Sequence, residues 1–155
     1  MVEDKPKGNT QNGFKEQWRQ RFEYFASRYD DDAGIAGWSD TGLKTRLRFF
    51  LKAWNADSSR NFWLDVGCGA GTYSKILLKA RKKVLALDYS YPTLIKAREK
   101  VETSQDIQWI LADATNLPLK KEAVDGVLAL GVSQALPDSE DLVAELMQTL
   151  QRYSR

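Results

Sequence analysis

The chain has no histidine, one cysteine, four prolines and almost no net charge, its 23 lysines and arginines standing against 21 aspartates and glutamates. Each scarcity removes chemistry. Without histidine there is no Ser-His-Asp triad, no imidazole general base and no histidine-ligated metal, and one thiol cannot build a thiolate metal cage. Cys68 cannot form an intramolecular disulfide, so a reducing cytoplasm is the simplest expected location. A formal charge of +2 is too slight to argue for nucleic acid or an anionic membrane as the main partner. No apolar run approaches the roughly 20 residues that cross a bilayer, and the polar start MVEDKPKGNTQNG lacks the apolar stretch of a signal peptide. At 155 residues, 43% of them hydrophobic, the chain suffices for one core and one domain.

What is present falls into two grammars. Residues 1–13 show no periodicity and read as a disordered tail. Phe14, Trp18, Phe22, Phe25 and Tyr29 then recur at three- and four-residue spacings and place five rings on one helical face. Asp30, Asp31 and Asp32 break that pattern and are expected in a solvated loop, and a second helical pattern runs from Leu43 to Trp54. Residues 14–59 therefore form a helical cap.

From residue 60 onward, apolar runs alternate with helical ones. Strands are expected at Phe62 to Val66, Val84 to Leu87, Ile107 to Ala112 and Val124 to Leu130. Helices are expected over Tyr73 to Ala80, after a Ser90 cap with Pro92 in the first turn, and from about Pro137 to Leu150. Strands that are apolar throughout, joined by helical crossovers, predict an α/β fold with a Rossmann-like parallel sheet covered by helices on both faces. Residues 60–155 would be that core, forming one domain with the cap.

In such a sheet the first strand-to-helix turn lies at the ligand crevice, and Gly67, Gly69 and Gly71 occupy it. Glycines let the backbone approach a ligand and leave helix N–H groups facing an anion, although a merely tight turn would use them too. Asp88 closes the second strand about 20 positions past Gly67. That spacing suits a carboxylate accepting from ribose hydroxyls, with helix capping as the alternative. The dinucleotide fingerprint G-x-G-x-x-G would need glycine where Thr72 stands, so the pattern is G-x-G-x-G and a nicotinamide-dependent oxidoreductase is the weaker reading.

The stretches LDVGCGAGTYS, ALDYS and LADATNLPLKKEAVDGVLAL, in this order and spacing, resemble the successive motifs of class I S-adenosylmethionine-dependent methyltransferases. The similarity is closest to the small-molecule group that includes ubiquinone and menaquinone biosynthesis enzymes, and it covers residues 60–150. It implies S-adenosyl-L-methionine as cofactor, a small-molecule methyl acceptor, and neither nucleic-acid binding nor a membrane span. Asp65 and the turn holding Gly67, Cys68, Gly69 and Gly71 would take the methionine part, unless Asp65 only braces the turn and Cys68 only fills it. Asp88 would bind the ribose and Tyr89 pack on the adenine. Asp113 would accept from the adenine amino group, Ala114 would offer its N–H, and Leu130 with Gly131 would border the transfer site. Leu117 and Pro118 are equally well core and loop punctuation. Tyr24, Tyr29 and Trp38 are candidate lid rings, Ser133 or Gln134 would give acceptor-side polar help, and no catalytic residue is assigned.

The family fold has seven strands and this sequence provides about four, so a truncated sheet is expected, with the edge of the fourth strand open to a second copy or a partner chain. A cofactor-binding module without a complete acceptor site is the alternative to an active enzyme.

Overall fold

The computed structural model describes residues 11–132, 135 and 139–149. Three helices come first: α1 (Gln11–Arg28), the single turn α2 (Asp32–Ile35) and α3 (Asp40–Ala53). They are followed by β1 (Phe62–Val66), α4 (Thr72–Lys79), β2 (Lys83–Asp88), α5 (Tyr91–Lys100), β3 (Ile107–Leu111), β4 (Gly126–Leu128) and α6 (Ser139–Thr149).

The strands form one parallel sheet in the order β3-β2-β1-β4, the Rossmann-like arrangement the sequence predicts. The chain crosses from β1 outward to β2 and β3, then returns to place β4 on the other side of β1. That reversal opens a crevice beyond the carboxyl ends of β1 and β4. Strand alternation sorts the core into two layers. Leu64, Val66, Leu85 and Leu87 face Leu142 and Leu146 of α6 together with Ala114, Leu117 and Val124. Trp63, Val84 and Ala86 face Leu77 of α4, Leu94 of α5 and Val101. Both faces are covered, which is why the strands read as continuously apolar. Leu117 is core.

Local chemistry fixes the ends of the elements. Ser90 caps α5, its side chain accepting from the Thr93 N–H, with Pro in the first turn as expected. Ser39 caps α3 through the Gly42 N–H at 3.1 Å. β4 is shorter than the sequence suggests. The paired register begins at Gly126; just before it the Asp125 carboxylate accepts from the N–H groups of Asn61 and Phe62, at 3.0 and 2.9 Å, while the Asp125 N–H donates to the Phe62 carbonyl at 2.8 Å. A Cβ at Gly126 would sit 2.6 Å from the Trp63 ring, which explains a glycine inside this strand.

Two expectations for the cap need correcting. Helix α1 starts at Gln11, so residues 11–13 belong to it rather than to a tail. The acidic run is not simply solvated. Asp31 caps α2 by accepting from the Gly34 N–H at 2.8 Å. Asp32 accepts from Thr72 Oγ1 at 2.6 Å and pairs with Lys100 at 3.1 Å and Lys75 at 3.6 Å. Asp30 pairs with Lys96. The cap is thus pinned by acids to helices α4 and α5.

Candidate functional site

The crevice at the β1/β4 reversal holds a mostly apolar cleft, walled by the β1–α4 turn, the ends of β2 and β4 and the helical cap. Its floor is the turn between β1 and α4. Gly67, Gly69 and Gly71 have φ of 65°, 52° and 78°, left-handed values that a side chain strains. Space differs among them. A Cβ at Gly67 would meet Val132 Cγ2 at 2.6 Å, whereas at Gly69 the nearest atom is Ala36 Cβ at 3.7 Å. Gly67 is bare because protein packs on it; Gly69 is bare with room above it.

Behind the turn lie two buried acids. Asp65 sits on β1 and accepts from Ser74 Oγ at 2.7 Å and from the Ser74 N–H, serving the first turn of α4 that Gly71 cannot cap with a side chain. It does not line the cleft, so of its two sequence readings the geometry gives the brace. Burial pushes its carboxyl up to about 6, the nearby Asp88 charge adding to the rise while Ser74 opposes it. Asp88, at the end of β2, does line the cleft. It accepts from the Gly69 N–H at 3.1 Å and the Ser90 N–H at 3.0 Å, so the same carboxylate that shapes the turn faces the cavity. Burial raises it to about 6 as well, against those backbone bonds.

The remaining residues singled out from sequence converge here. Cys68, Tyr89, Asp113, Ala114, Leu130 and Gly131 all line the cleft. The Cys68 thiol is buried and pushed well up by that burial and by the Asp88 and Asp65 charges, which fits a packed filler and not a nucleophile. Burial alone would raise Asp113, but donation from Thr115 and Lys15 outweighs it and holds the carboxyl below the usual range. Among the lid rings, Trp38 lines the cleft and packs on Gly131, where a Cβ would lie 2.5 Å from the indole, with the Arg46 guanidinium 4.4 Å from its ring centroid. Tyr24 and Tyr29 are 59% and 41% exposed and do not line it, contrary to expectation. Tyr29 follows the end of α1 and packs against Phe25 instead. Ser133 and Gln134 lie outside the described residues.

Sequence reasoning missed Lys15, Phe22, Thr72 and Tyr73 as lining residues. Phe22 carried a signal as one ring of the α1 stripe, and Thr72 and Tyr73 follow the last glycine directly. Lys15 carried none. Three buried polar atoms of residues in the lining, Trp38 Nε1, Tyr73 Oη and Tyr89 Oη, have no hydrogen-bond partner among the described residues. Buried polar groups are rarely left so, and all three belong to residues of the cleft wall. An open glycine, free donors and an ionisable acceptor at one strand end suit a nucleoside with a charged tail. Among the described residues no cluster of acids or thiols has a metal-binding arrangement.

Comparison with known proteins agrees with this geometry. A family model described as a methyltransferase domain matches residues 64–154. A malonyl-[acyl-carrier protein] O-methyltransferase of Hamiltonella defensa is 30% identical over 103 residues, which are 66% of this chain and 39% of that protein. The biotin biosynthesis bifunctional protein BioHC of Cellvibrio japonicus is 29% identical over 91% of this chain and 26% of its own length. Phosphoethanolamine N-methyltransferase 1 of Haemonchus contortus, solved with phosphoethanolamine and S-adenosylhomocysteine, superimposes with a TM-score of 0.78 at 18% identity, over 92% of this chain and 31% of that one. The methyltransferase in complex with the Haloferax volcanii activator Trm112 gives a TM-score of 0.65 at 21% identity, over 84% of this chain and 55% of that one. The chain thus spans well under half the length of these curated relatives.

Proposed function

This chain belongs to the class I S-adenosylmethionine-dependent methyltransferases, whose cofactor is S-adenosyl-L-methionine, and on that premise we propose that its cleft binds the cofactor and transfers the methyl group to a small-molecule acceptor. The observation that carries the proposal is the coupling of Gly69 to Asp88. One buried carboxylate, accepting from the Gly69, Ser90 and Tyr89 N–H groups, both shapes the open part of the turn and lines the cleft, where its remaining acceptor capacity suits hydroxyl donors.

The roles follow from position. Asp88 takes the ribose hydroxyls, Tyr89 and Phe22 flank the base, and Asp113 with Ala114 reads its edge. The amino-acid tail lies over Gly67, Cys68 and Gly69, whose turn is held in shape from behind by Asp65 and Gly71. Leu130, Gly131, Val132 and Trp38 border the end where the acceptor enters. The sulfonium supplies an activated methyl group that a nucleophile displaces in line without protonation of the leaving group. This chain therefore needs to place the two reactants and keep water out, which apolar walls and a closed cap accomplish.

For the acceptor we infer an oxygen nucleophile. Two relatives, each matched over less than half of its length, are named malonyl-[acyl-carrier protein] O-methyltransferases, which supports an oxygen acceptor. Residues 11–59 act as the cap and the chain from residue 60 onward as the cofactor-binding core of one domain. The nicotinamide reading is set aside by the methyltransferase family match.

The experiment is calorimetry with S-adenosylhomocysteine and NADH on the wild type and Asp88→Asn. S-adenosylhomocysteine should bind the wild type, Asp88→Asn should weaken it by about tenfold or more, and NADH should give no heat. NADH binding in its place, or an Asp88→Asn affinity equal to wild type, would refute the assignment.

A further inference from the structure

Helix α1 reaches the cleft at two residues on one face, Lys15 and Phe22. Lys15 Nζ donates to Asp113 Oδ2 at 3.0 Å and to Thr115 Oγ1 at 2.6 Å, bridging residues about a hundred positions apart. The other oxygen of Asp113 is engaged as well, Oδ1 accepting from the Thr115 N–H and O–H at 2.8 Å each. One helical turn pair further on, the Phe22 ring meets Tyr89 edge-on with centroids 6.2 Å apart. Both contacts fall where Tyr89 and Asp113 line the cleft. Arg19 differs: it pairs with Glu16 and Glu23 inside the same helix. Lys15 instead ties the helix to the loop after β3.

We propose that Lys15 is the latch that holds α1 closed over the adenosine end of the cleft and thereby sets how long the cofactor stays bound. The proposal rests on the assignment of Asp88, Tyr89 and Asp113 to the adenosine. A ligand seated beside Asp113 and Tyr89 has Lys15 and Phe22 above it, so release on this side requires α1 to lift. Lifting breaks a charge-assisted pair and exposes an aromatic contact. In the lifted state both charges are hydrated, and the pair is partly exposed even when closed, so its effect is moderate. Lys15 is a positioning residue: it acts on the ligand through Asp113 and through the placement of α1, away from Gly131 and Trp38 where the methyl group moves.

The test uses the full chain as wild type, Lys15→Met and Lys15→Arg. The dissociation rate of S-adenosylhomocysteine is measured by stopped flow, and hydrogen exchange of α1 is measured without ligand. Lys15→Met, which keeps the apolar stem, should release the ligand about three- to tenfold faster and lose exchange protection in α1 even when ligand-free. Lys15→Arg should restore most of both. Dissociation and α1 exchange equal to wild type in Lys15→Met would overturn the proposal, as would a slower release. Asp88→Asn separates the two readings. If it binds like wild type, the cofactor assignment and the residence-time role fall together, while α1 exchange in ligand-free Lys15→Met still decides whether Lys15 secures the helix.

Discussion

Asp88 has two duties that pull its proton in opposite directions. Burial favours the neutral acid and lifts it from its ordinary 3.8 to about 6, whereas the Gly69 N–H, and the ribose hydroxyls of the proposed complex, favour the anion. Between those values the folded, ligand-free protein binds more protons than the unfolded chain. Its stability therefore falls as pH rises from about 4 to about 6 and levels off above, and Asp65 contributes in the same sense. Ligand binding runs the other way. The affinity for S-adenosylhomocysteine should weaken below about pH 6, by up to roughly tenfold per pH unit, and calorimetry across pH 5 to 8 should show Asp88→Asn nearly flat. A second residue test separates fold from function at the turn. Gly69→Ala strains a φ of 52° but meets nothing closer than 3.7 Å, so it should cost about 1 kcal/mol and lower Tm by roughly 2–4 °C while reducing cofactor affinity. Gly67→Ala, whose Cβ would sit 2.6 Å from Val132, should unfold at a distinctly lower temperature.

At the scale of elements, the cap is attached by side chains that look unremarkable in sequence. Asp32 on α2 receives Thr72 of α4 and pairs with Lys75 and Lys100, so one carboxylate joins three helices at the rim of the cleft. Burial alone would raise this acid, yet the Thr72 and Lys100 bonds outweigh it and hold its carboxyl below 3.8. Its contribution is thus complete above about pH 4 and is lost as pH falls through the depressed folded value, the opposite of Asp88. Asp32→Ala should destabilise the protein by about 1–2 kcal/mol in urea unfolding near pH 7 and deprotect α2 in hydrogen exchange. As the pH falls through that depressed value, the gap between the variant and wild type should narrow. A gap that persists there would mean that packing, and not the carboxylate, supplies the difference.

For the whole molecule, the open question posed by the topology is the outer edge of β4. Among the described residues β4 pairs with β1 alone, and nearby α6 exposes Val143 and Met147, at 58% and 64%. A parallel edge with no strand beside it among the described residues, near an apolar helix face, invites a second chain. The protein should therefore associate at micromolar concentration, giving a light-scattering mass above 17.6 kDa that Met147→Lys lowers. A single-chain mass at all concentrations would show that this edge needs no partner.

The sequence by itself determined the alternating strands and helices, the glycine turn and the acid at the end of the second strand. Each of these is written in local terms: apolar runs for strands buried on both faces, φ values only glycine holds easily, and a fixed chain length between Gly67 and Asp88. It also left Asp65 and Tyr29 ambiguous and gave Lys15 no signal at all, because which atom faces a cavity depends on side-chain direction and on contacts between distant segments. Only the tertiary structure decided that Asp65 turns back to Ser74, that Trp38 and not Tyr29 reaches the cleft, and that Lys15 meets Asp113 across the length of the chain.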